Sequence, residues 1–275
     1  MKTSSSQNPF FNRSLKLLNT LSIVAAILLL VSSILGIWLR IMIYPTPELL
    51  KTFVSNDVAN LLIGLPILII SMAAAQRGSL VGLLCWPGAL LYIFYNTLVY
   101  SLAMPFSPFF LIYPLQAIIS AAGIILFIKH TAGEKIKGRL EGHLKEKFSG
   151  IVLIGMGALF FVRALGVLIT SIINQTSLPG TELALQITDL IITPLWIVGG
   201  ISLWRHQSFG YRFGLATLFQ ANSLFLGLIL FMLLQPWLAS TPIIMTDLVV
   251  ILGMAVVALI PLVLVLTGAS KAKHG

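Results

Sequence analysis

The sequence has very few charged residues. Only 9% of its 275 residues are Asp, Glu, Lys or Arg, whereas 58% are hydrophobic. A soluble domain carries about 25% charged residues, and a chain this apolar could not cover its surface in water. We therefore expect the lipid bilayer to be the solvent of this protein and its main partner.

The chain also lacks the residue patterns of several membrane enzymes. Its single cysteine, Cys85, excludes an intrachain disulfide and a CxxC redox pair. Neither an HExxH zinc motif nor a Walker A phosphate loop occurs. A haem between membrane helices needs histidines inside the spans, and all four lie outside the apolar runs: His130, His143, His206 and His274. We therefore predict no metal and no cofactor, and an intramembrane enzyme is the least favoured class.

Eight apolar runs are present, each close to the length of about 20 residues that crosses a bilayer. They cover residues 17–43, 57–75, 80–102, 109–129, 150–173, 183–204, 213–234 and 243–266. Pro66 and Pro194 lie inside two of them, which membrane helices tolerate when neighbouring groups satisfy the freed carbonyls. The runs predict an all-α integral membrane bundle of eight transmembrane helices.

The only long polar stretch in the interior divides the runs into two four-helix units. The predicted divisions are an N-terminal segment 1–14, a first unit 15–129, a linker 130–149, a second unit 150–267 and a tail 268–275.

The linker carries an apolar residue at every fourth position among charged ones: Ile136, Leu140, Leu144 and Phe148. This spacing predicts an amphipathic helix lying on the cytoplasmic surface, where it could contact acidic lipid or a partner. A solvated connection between the two units is the plainer interpretation.

Positive residues indicate the orientation, because loops rich in Lys and Arg stay in the cytoplasm. The N-terminus, residues 76–79, the linker, residues 205–212 and the tail contain Lys2, Arg13, Lys16, Arg77, Lys135, Lys137, Arg139, Lys145, Lys147, Arg205, Arg212, Lys271 and Lys273. The opposite segments, 44–56, 103–108, 174–182 and 235–242, contain only Lys51. We predict a multi-pass plasma-membrane protein with both termini cytoplasmic. This topology accounts for the net charge of +9 without a nucleic-acid partner.

Similar residues recur in the two units. Gly88 precedes Asn96 by eight residues, and Gly214 precedes Asn222 by eight. An even number of spans per unit would give both units the same orientation, which predicts a parallel repeat around an axis along the membrane normal. The GxxxG spacings 78–82 and 210–214 imply another register, and helix packing explains those glycines better.

Two further correspondences support the repeat. The segment VSSILGIWL around Gly36 resembles VRALGVLI around Gly166, and Asp57 and Asp189 lie near the start of the second and sixth runs. Each aspartate is followed by the proline of its run.

Arg163 is the outstanding polar residue, because it lies near the middle of the fifth run. A mid-bilayer arginine costs about 2.5–3.5 kcal/mol on insertion scales, so we expect it to face the bundle and to have a partner. Asp189 is the predicted partner, and Asp57 is the alternative. The pair could be a ligand site for an anion or carboxylate, or a buried ion pair that locks two helices.

Other polar residues within the runs are candidate ligand-binding residues: Asn96, Asn222, Gln116, Tyr92 and Tyr95. They could line a cavity. They could equally form hydrogen bonds between helices, and tyrosine hydroxyls deep in the membrane need such partners.

The segment 57–102 carries a Leu-Pro pair at 65–66, Arg77-Gly78-Ser79 at a turn, Gly88, and the tyrosines Tyr92, Tyr95 and Tyr100. With these features it resembles a group of uncharacterised multi-pass membrane proteins of bacteria and archaea. The resemblance covers about a fifth of the chain and implies membrane location and topology.

The leading functional hypothesis is small-molecule binding or transport through a site between the two halves. The alternative is a non-catalytic membrane subunit or sensor whose buried polar residues only hold helices together. The sequence leaves open whether the chain forms an oligomer or joins a partner subunit.

Overall fold

The computed structural model of the protein describes Phe10, residues 15–238 and residues 240–272. This part of the chain contains no β-strand. Its helices are α1 (Lys16–Trp38), α2 (Arg40–Ile43), α3 (Pro47–Gln76), α4 (Leu80–Ala103), α5 (Ile112–His130), α6 (Gly133–Leu140), α7 (Glu146–Ile173), α8 (Gly180–Trp204), α9 (Gly210–Leu238) and α10 (Met245–Lys271). All except α2 and α6 are long and apolar enough to cross a membrane, which confirms the predicted bundle of eight spans.

One end of the bundle contains residues 39–46, 104–111, 174–179 and 240–244. We call it the outer end, following the predicted topology, and the opposite end the inner end. The predicted N-terminal segment 1–14 and the last residues, 273–275, lie outside the described residues, apart from Phe10. The Phe10 carbonyl accepts a hydrogen bond from the Ala132 amide at 2.9 Å at the inner end.

Helix α3 begins ten residues earlier than the sequence predicts, so the expected loop over 48–56 is wrong. Thr46 caps the helix, with its Oγ1 accepting a hydrogen bond from the Leu49 amide at 3.3 Å, and Pro47 occupies the first turn. Asp57 therefore does not open the helix. It lies ten residues inside it, about 15 Å along the axis.

Other helices also extend beyond their predicted bounds. Helix α8 begins at Gly180, α9 continues across Pro236 to Leu238, and α10 reaches into the predicted tail at Lys271. Continuation is favoured in a bilayer because every backbone group must be paired within the helix. Asp189 is consequently nine residues inside α8, about 14 Å from its start, which closely matches the depth of Asp57.

Within the predicted amphipathic linker, Gly133–Leu140 form the short helix α6, and residues 146–149 belong to the start of α7. Three residues of the apolar stripe face the protein, whereas Phe148 is 44% exposed. Ile136, Leu140 and Leu144 are buried in the core, so α6 docks on the inner end of the bundle. The chain then turns at Gly142, whose φ of +83° favours glycine, and α7 begins at Glu146. The bundle itself covers Ile136, Leu140 and Leu144, so these side chains are not available for a lipid contact, and the position of the linker at the cytoplasmic surface stays a prediction.

The helices of the two halves pack in corresponding pairs. In the first half α1 contacts α3 and α5, and α4 contacts α3 and α5; in the second half α7 contacts α8 and α10, and α9 contacts α8 and α10. Between the halves α4 packs on α9 and α8, while α3 packs on α9. The internal repeat stays a prediction, with which this pattern agrees.

The halves also differ. Helix α3 has a π-helical turn over Asn60–Gly64 just before Pro66, whereas α8 continues as an α-helix around Pro194. Helix α4 is the most deeply buried span, with Trp86, Tyr92 and Tyr100 in the core. It places side chains from the first half against α8 and α9 of the second.

Candidate functional site

Two buried aspartates organise the outer half of the bundle. Asp57 of α3 and Asp189 of α8 lie at similar depth, and each accepts a hydrogen bond from a tyrosine of α4. We call Asp57 with Tyr44, Tyr100 and Gly36 the Asp57 cluster. We call Asp189 with Tyr95 and Arg163 the Asp189 cluster.

The Asp57 carboxylate is enclosed by two phenols. The Tyr44 hydroxyl donates to Oδ2 at 2.5 Å, and the Tyr100 hydroxyl donates to Oδ1 at 2.8 Å. The Phe53 ring packs against both tyrosines, with centroids 4.1 Å from Tyr100 and 5.6 Å from Tyr44. Burial raises the pKa of Tyr44 well above its usual range, so its hydroxyl remains a donor at neutral pH.

Helix α1 closes this cluster from the side. A Cβ added at Gly36 would lie 2.0 Å from Asp57 Oδ2 and 2.5 Å from the Tyr44 hydroxyl oxygen, so only glycine fits there. No Lys or Arg of the described residues forms an ion pair with Asp57. The cluster is therefore closed, with its acceptors met by hydroxyls of the protein.

Asn96 belongs to the same network. Its Oδ1 accepts from Asn56 Nδ2 at 3.2 Å, and its own Nδ2 donates to the Tyr92 carbonyl at 3.0 Å. Asn56 Nδ2 also approaches the Tyr100 hydroxyl at 3.3 Å. Asn96 thus extends the hydrogen bonds around Asp57 and is not part of the Asp189 cluster.

The Asp189 cluster contains the predicted ion pair. Arg163 Nη1 lies 3.7 Å from Asp189 Oδ2, and the Tyr95 hydroxyl donates to Oδ1 at 2.7 Å. Asp57 and Asp189 lie at a similar depth, so depth does not select the partner of Arg163. Asp189 is the partner because its helix α8 packs along α7. Because Tyr95 is on α4, the cluster joins the two halves.

Arg163 is less enclosed than the sequence suggests. Half of its side chain is exposed (50%), compared with 9% of the Asp189 side chain. The outer part of α7 packs on one side only, and a Cβ added at Gly166 would meet no atom within 4 Å. Across the described residues, Asp189 is the only acceptor at ion-pair or hydrogen-bond distance from the guanidinium, so most of its N–H donors are open.

The remaining predicted site residues lie elsewhere. Gln116 Nε2 donates to the Ala25 carbonyl at 3.3 Å, which links α5 to α1. Asn222 Nδ2 donates to the Ala258 carbonyl at 3.0 Å, which links α9 to α10. Tyr92 is buried against α3 and α9, where a Cβ at Gly227 would lie 2.9 Å from its hydroxyl.

Sequence reasoning missed the role of Tyr44. It stands in the connection after α1, which the sequence marks only as a proline-rich helix end. Its contact with Asp57 depends on α2, a single turn that directs the chain back over α3. Gly36 is the sequence signal that could have indicated this contact. It leaves one face of α1 without a side chain, so another part of the chain can approach α1 closely there.

In the Asp189 cluster, the half-exposed guanidinium of Arg163 offers a fork of parallel N–H donors. Within the described residues no group of three or more His, Cys, Asp or Glu could hold a metal ion. No protein-family model matches the chain, and neither a curated protein nor a solved structure matches it.

Proposed function

We propose that this polytopic membrane protein binds and transports a small molecule carrying a carboxylate or another oxyanion, through a site at the Asp189 cluster. The observation that carries the proposal is the half-exposed guanidinium of Arg163 beside a buried carboxylate that both halves hold.

The depth of Arg163 makes its exposure significant. It lies ten residues before the end of α7 at Ile173, about 15 Å from the outer end of the helix. Hydrocarbon offers no acceptor at that depth, so the exposure of the guanidinium favours contact with water or a ligand there. If the Arg163–Asp189 ion pair were only structural, we would expect the guanidinium to be fully buried.

The donors of Arg163 fit a ligand better than they fit Asp189. A guanidinium has five N–H donors, and its one charged neighbour stands 3.7 Å away, beyond ordinary hydrogen-bond length. A carboxylate or phosphate can accept two parallel N–H bonds from arginine in the bidentate geometry that this side chain favours. Asp189 would then remain as the neighbouring negative charge that limits affinity and permits release.

The surroundings of Asp189 support transport over simple binding. Its hydrogen bond to Tyr95 crosses from α8 to α4, and at the outer end Glu48 Oε1 of α3 accepts from Thr181 Oγ1 of α8 at 2.6 Å. An anion that draws Arg163 away from Asp189 would alter one of these contacts between the halves. The corresponding packing of the two halves supports a parallel repeat, an arrangement found in transporters that bind substrate between repeats.

The alternative is a non-catalytic subunit or sensor, and the Asp57 cluster favours it. There the polar groups satisfy one another within the protein and leave no donor open. If the Asp189 cluster worked in the same way, Arg163 would only hold α7 against α8.

Anion-dependent thermal unfolding of the detergent-purified protein distinguishes the two functions. We would measure Tm with acetate, benzoate, phosphate or sulfate, for the native chain, for Arg163→Gln and for Arg205→Gln, a control at the inner end of α8. We expect at least one anion to raise Tm in the native chain and in Arg205→Gln but not in Arg163→Gln. An equal rise in Arg163→Gln, or no rise with any of the four, would favour the structural subunit.

A further inference from the structure

A second feature lies at the outer end, away from the Asp189 cluster. A cavity of about 380 Å³ opens between α2, the start of α3 and the end of α9. Its walls are largely apolar, and two cationic side chains, Arg40 and Lys51, line it. The other lining residues are Ile41, Pro47, Leu50, Val54, Leu238 and Ser240.

The two cations stand where the topology disfavours them. Lys51 is the only Lys or Arg in the outer segments predicted from the sequence, and the structure adds Arg40 because α1 ends at Trp38. Both line the same cavity, which has no carboxylate in its wall. The acidic neighbour Glu48 is engaged elsewhere, since its Oε1 accepts from the Thr181 amide at 2.8 Å. The wall of the cavity therefore carries two positive charges and no negative one, which favours an anionic occupant.

Two exposed tryptophans give the level of the cavity in the bilayer. Trp38 is 79% exposed just before Arg40, and Trp237 is 86% exposed just before Leu238. Tryptophan concentrates at the lipid headgroups, where its ring is apolar and its N–H meets water. The cations of the cavity thus lie at headgroup level, above the lipid-facing side chains of α1 such as Ile34.

We propose that this cavity binds the phosphate of an anionic phospholipid of the surrounding bilayer. The Arg40 guanidinium supplies a bidentate fork for phosphate oxygens, and Lys51 supplies a second charge on a flexible stem. The apolar wall at Ile41 and Leu50 accommodates the start of an acyl chain. This cavity is separate from the oxyanion site at Arg163, since none of the residues of the Asp189 cluster lines it.

Lipid titration of the detergent-purified full chain tests this proposal. Phosphatidylglycerol and phosphatidylcholine with matched acyl chains would be added, and bound lipid counted by native mass spectrometry. We expect phosphatidylglycerol to bind more tightly. Its affinity should fall about fivefold in Arg40→Gln or Lys51→Gln and roughly thirtyfold in the double variant. The matched control Arg77→Gln, an exposed arginine at the inner end, should bind like the native chain.

Three outcomes would overturn the proposal. The native chain could bind both lipids equally, or the double variant could keep the preference for phosphatidylglycerol. Inorganic phosphate could also displace the lipid at equal concentration, which would assign the cavity to a free phosphate instead. Both side chains are exposed, so we expect each variant to fold, and the elution volume of the purified protein verifies this.

Discussion

The Asp57 and Asp189 clusters place the same chemical group at the same depth and surround it differently. Each carboxylate accepts a hydrogen bond from a tyrosine of α4. Around Asp57 a second phenol and the backbone of α1 at Gly36 complete the enclosure, whereas Asp189 is left with a half-exposed arginine. We infer from this difference that the enclosed carboxylate of Asp57 stabilises the fold. In the function proposed above, the carboxylate of Asp189 is the one whose partner Arg163 changes.

The closure originates in the connections at the outer end. After α1 the short helix α2 brings Tyr44 back over Asp57. The corresponding connection after α7, residues 174–179, contains no aromatic residue that could do the same at Asp189. Consequently the first half seals its carboxylate and the second half does not.

Replacing Asp57 or Asp189 by alanine should give the largest difference in unfolding free energy between the two clusters. Asp57→Ala leaves two buried phenols without an acceptor, and we expect it to cost about 3 kcal/mol of unfolding free energy. Asp189→Ala leaves one phenol and a partly exposed guanidinium, so about 1–2 kcal/mol is expected. Reversible unfolding in mixed detergent micelles measures both values, and an Asp189→Ala loss as large as that of Asp57→Ala would remove the distinction between the clusters.

The corresponding glycines test closure alone. Gly36→Ala forces a methyl group into Asp57 and Tyr44, which we expect to cost about 1–3 kcal/mol as an overpacked core does. Gly166→Ala is the matched control, because its Cβ meets open space, and should be neutral or stabilising by up to about 1 kcal/mol. The Tm values of the two variants, taken from their melting curves, measure this difference. Similar Tm values would show that α1 does not close over Asp57.

Disrupting the Arg163–Asp189 ion pair should give the smallest change in unfolding free energy. Arg163→Ala strands the Asp189 charge, but half of the arginine is exposed, so we expect a loss of about 1 kcal/mol, near the upper limit for exposed pairs. Adding Asp189→Asn removes the charge and keeps an acceptor for Tyr95, so it should recover part of that loss. A double-mutant cycle gives the coupling free energy, and a coupling of zero would mean that the two side chains do not interact.

The spans and the Arg163–Asp189 pair could be predicted because charge is so scarce. With eight apolar runs and only three acidic residues inside them, a mid-membrane arginine has few candidate partners: Asp57, Asp189 and Asp247. A charged side chain inside the membrane needs a partner of opposite charge, so one of these few carboxylates is expected beside Arg163.

The enclosure of Asp57 and the exposure of Arg163 could not be predicted in this way. The first depends on the cap at Thr46, which starts α3 ten residues early, and on one turn of helix at Arg40–Ile43. The second arises because α7 packs mainly on α8 and otherwise on α10, which local sequence does not specify. The docking of α6 on the inner end of the bundle could not be predicted either. An apolar stripe can face lipid or protein, and only the packed bundle shows that it faces protein.

Thiol accessibility tests most directly whether the Asp189 cluster is open and the Asp57 cluster closed. The single native cysteine is replaced by Cys85→Ala, and one cysteine is introduced by Arg163→Cys, by Ser33→Cys on the buried face of α1 one turn before Gly36, or by Ser177→Cys at the exposed outer end. In sealed vesicles a membrane-impermeant maleimide should label positions 163 and 177 and leave position 33 unlabelled. Labelling at 177 but not at 163 would show that Arg163 faces lipid, and labelling at 33 as fast as at 163 would show that the Asp57 cluster is not closed; either result contradicts the distinction between the two clusters.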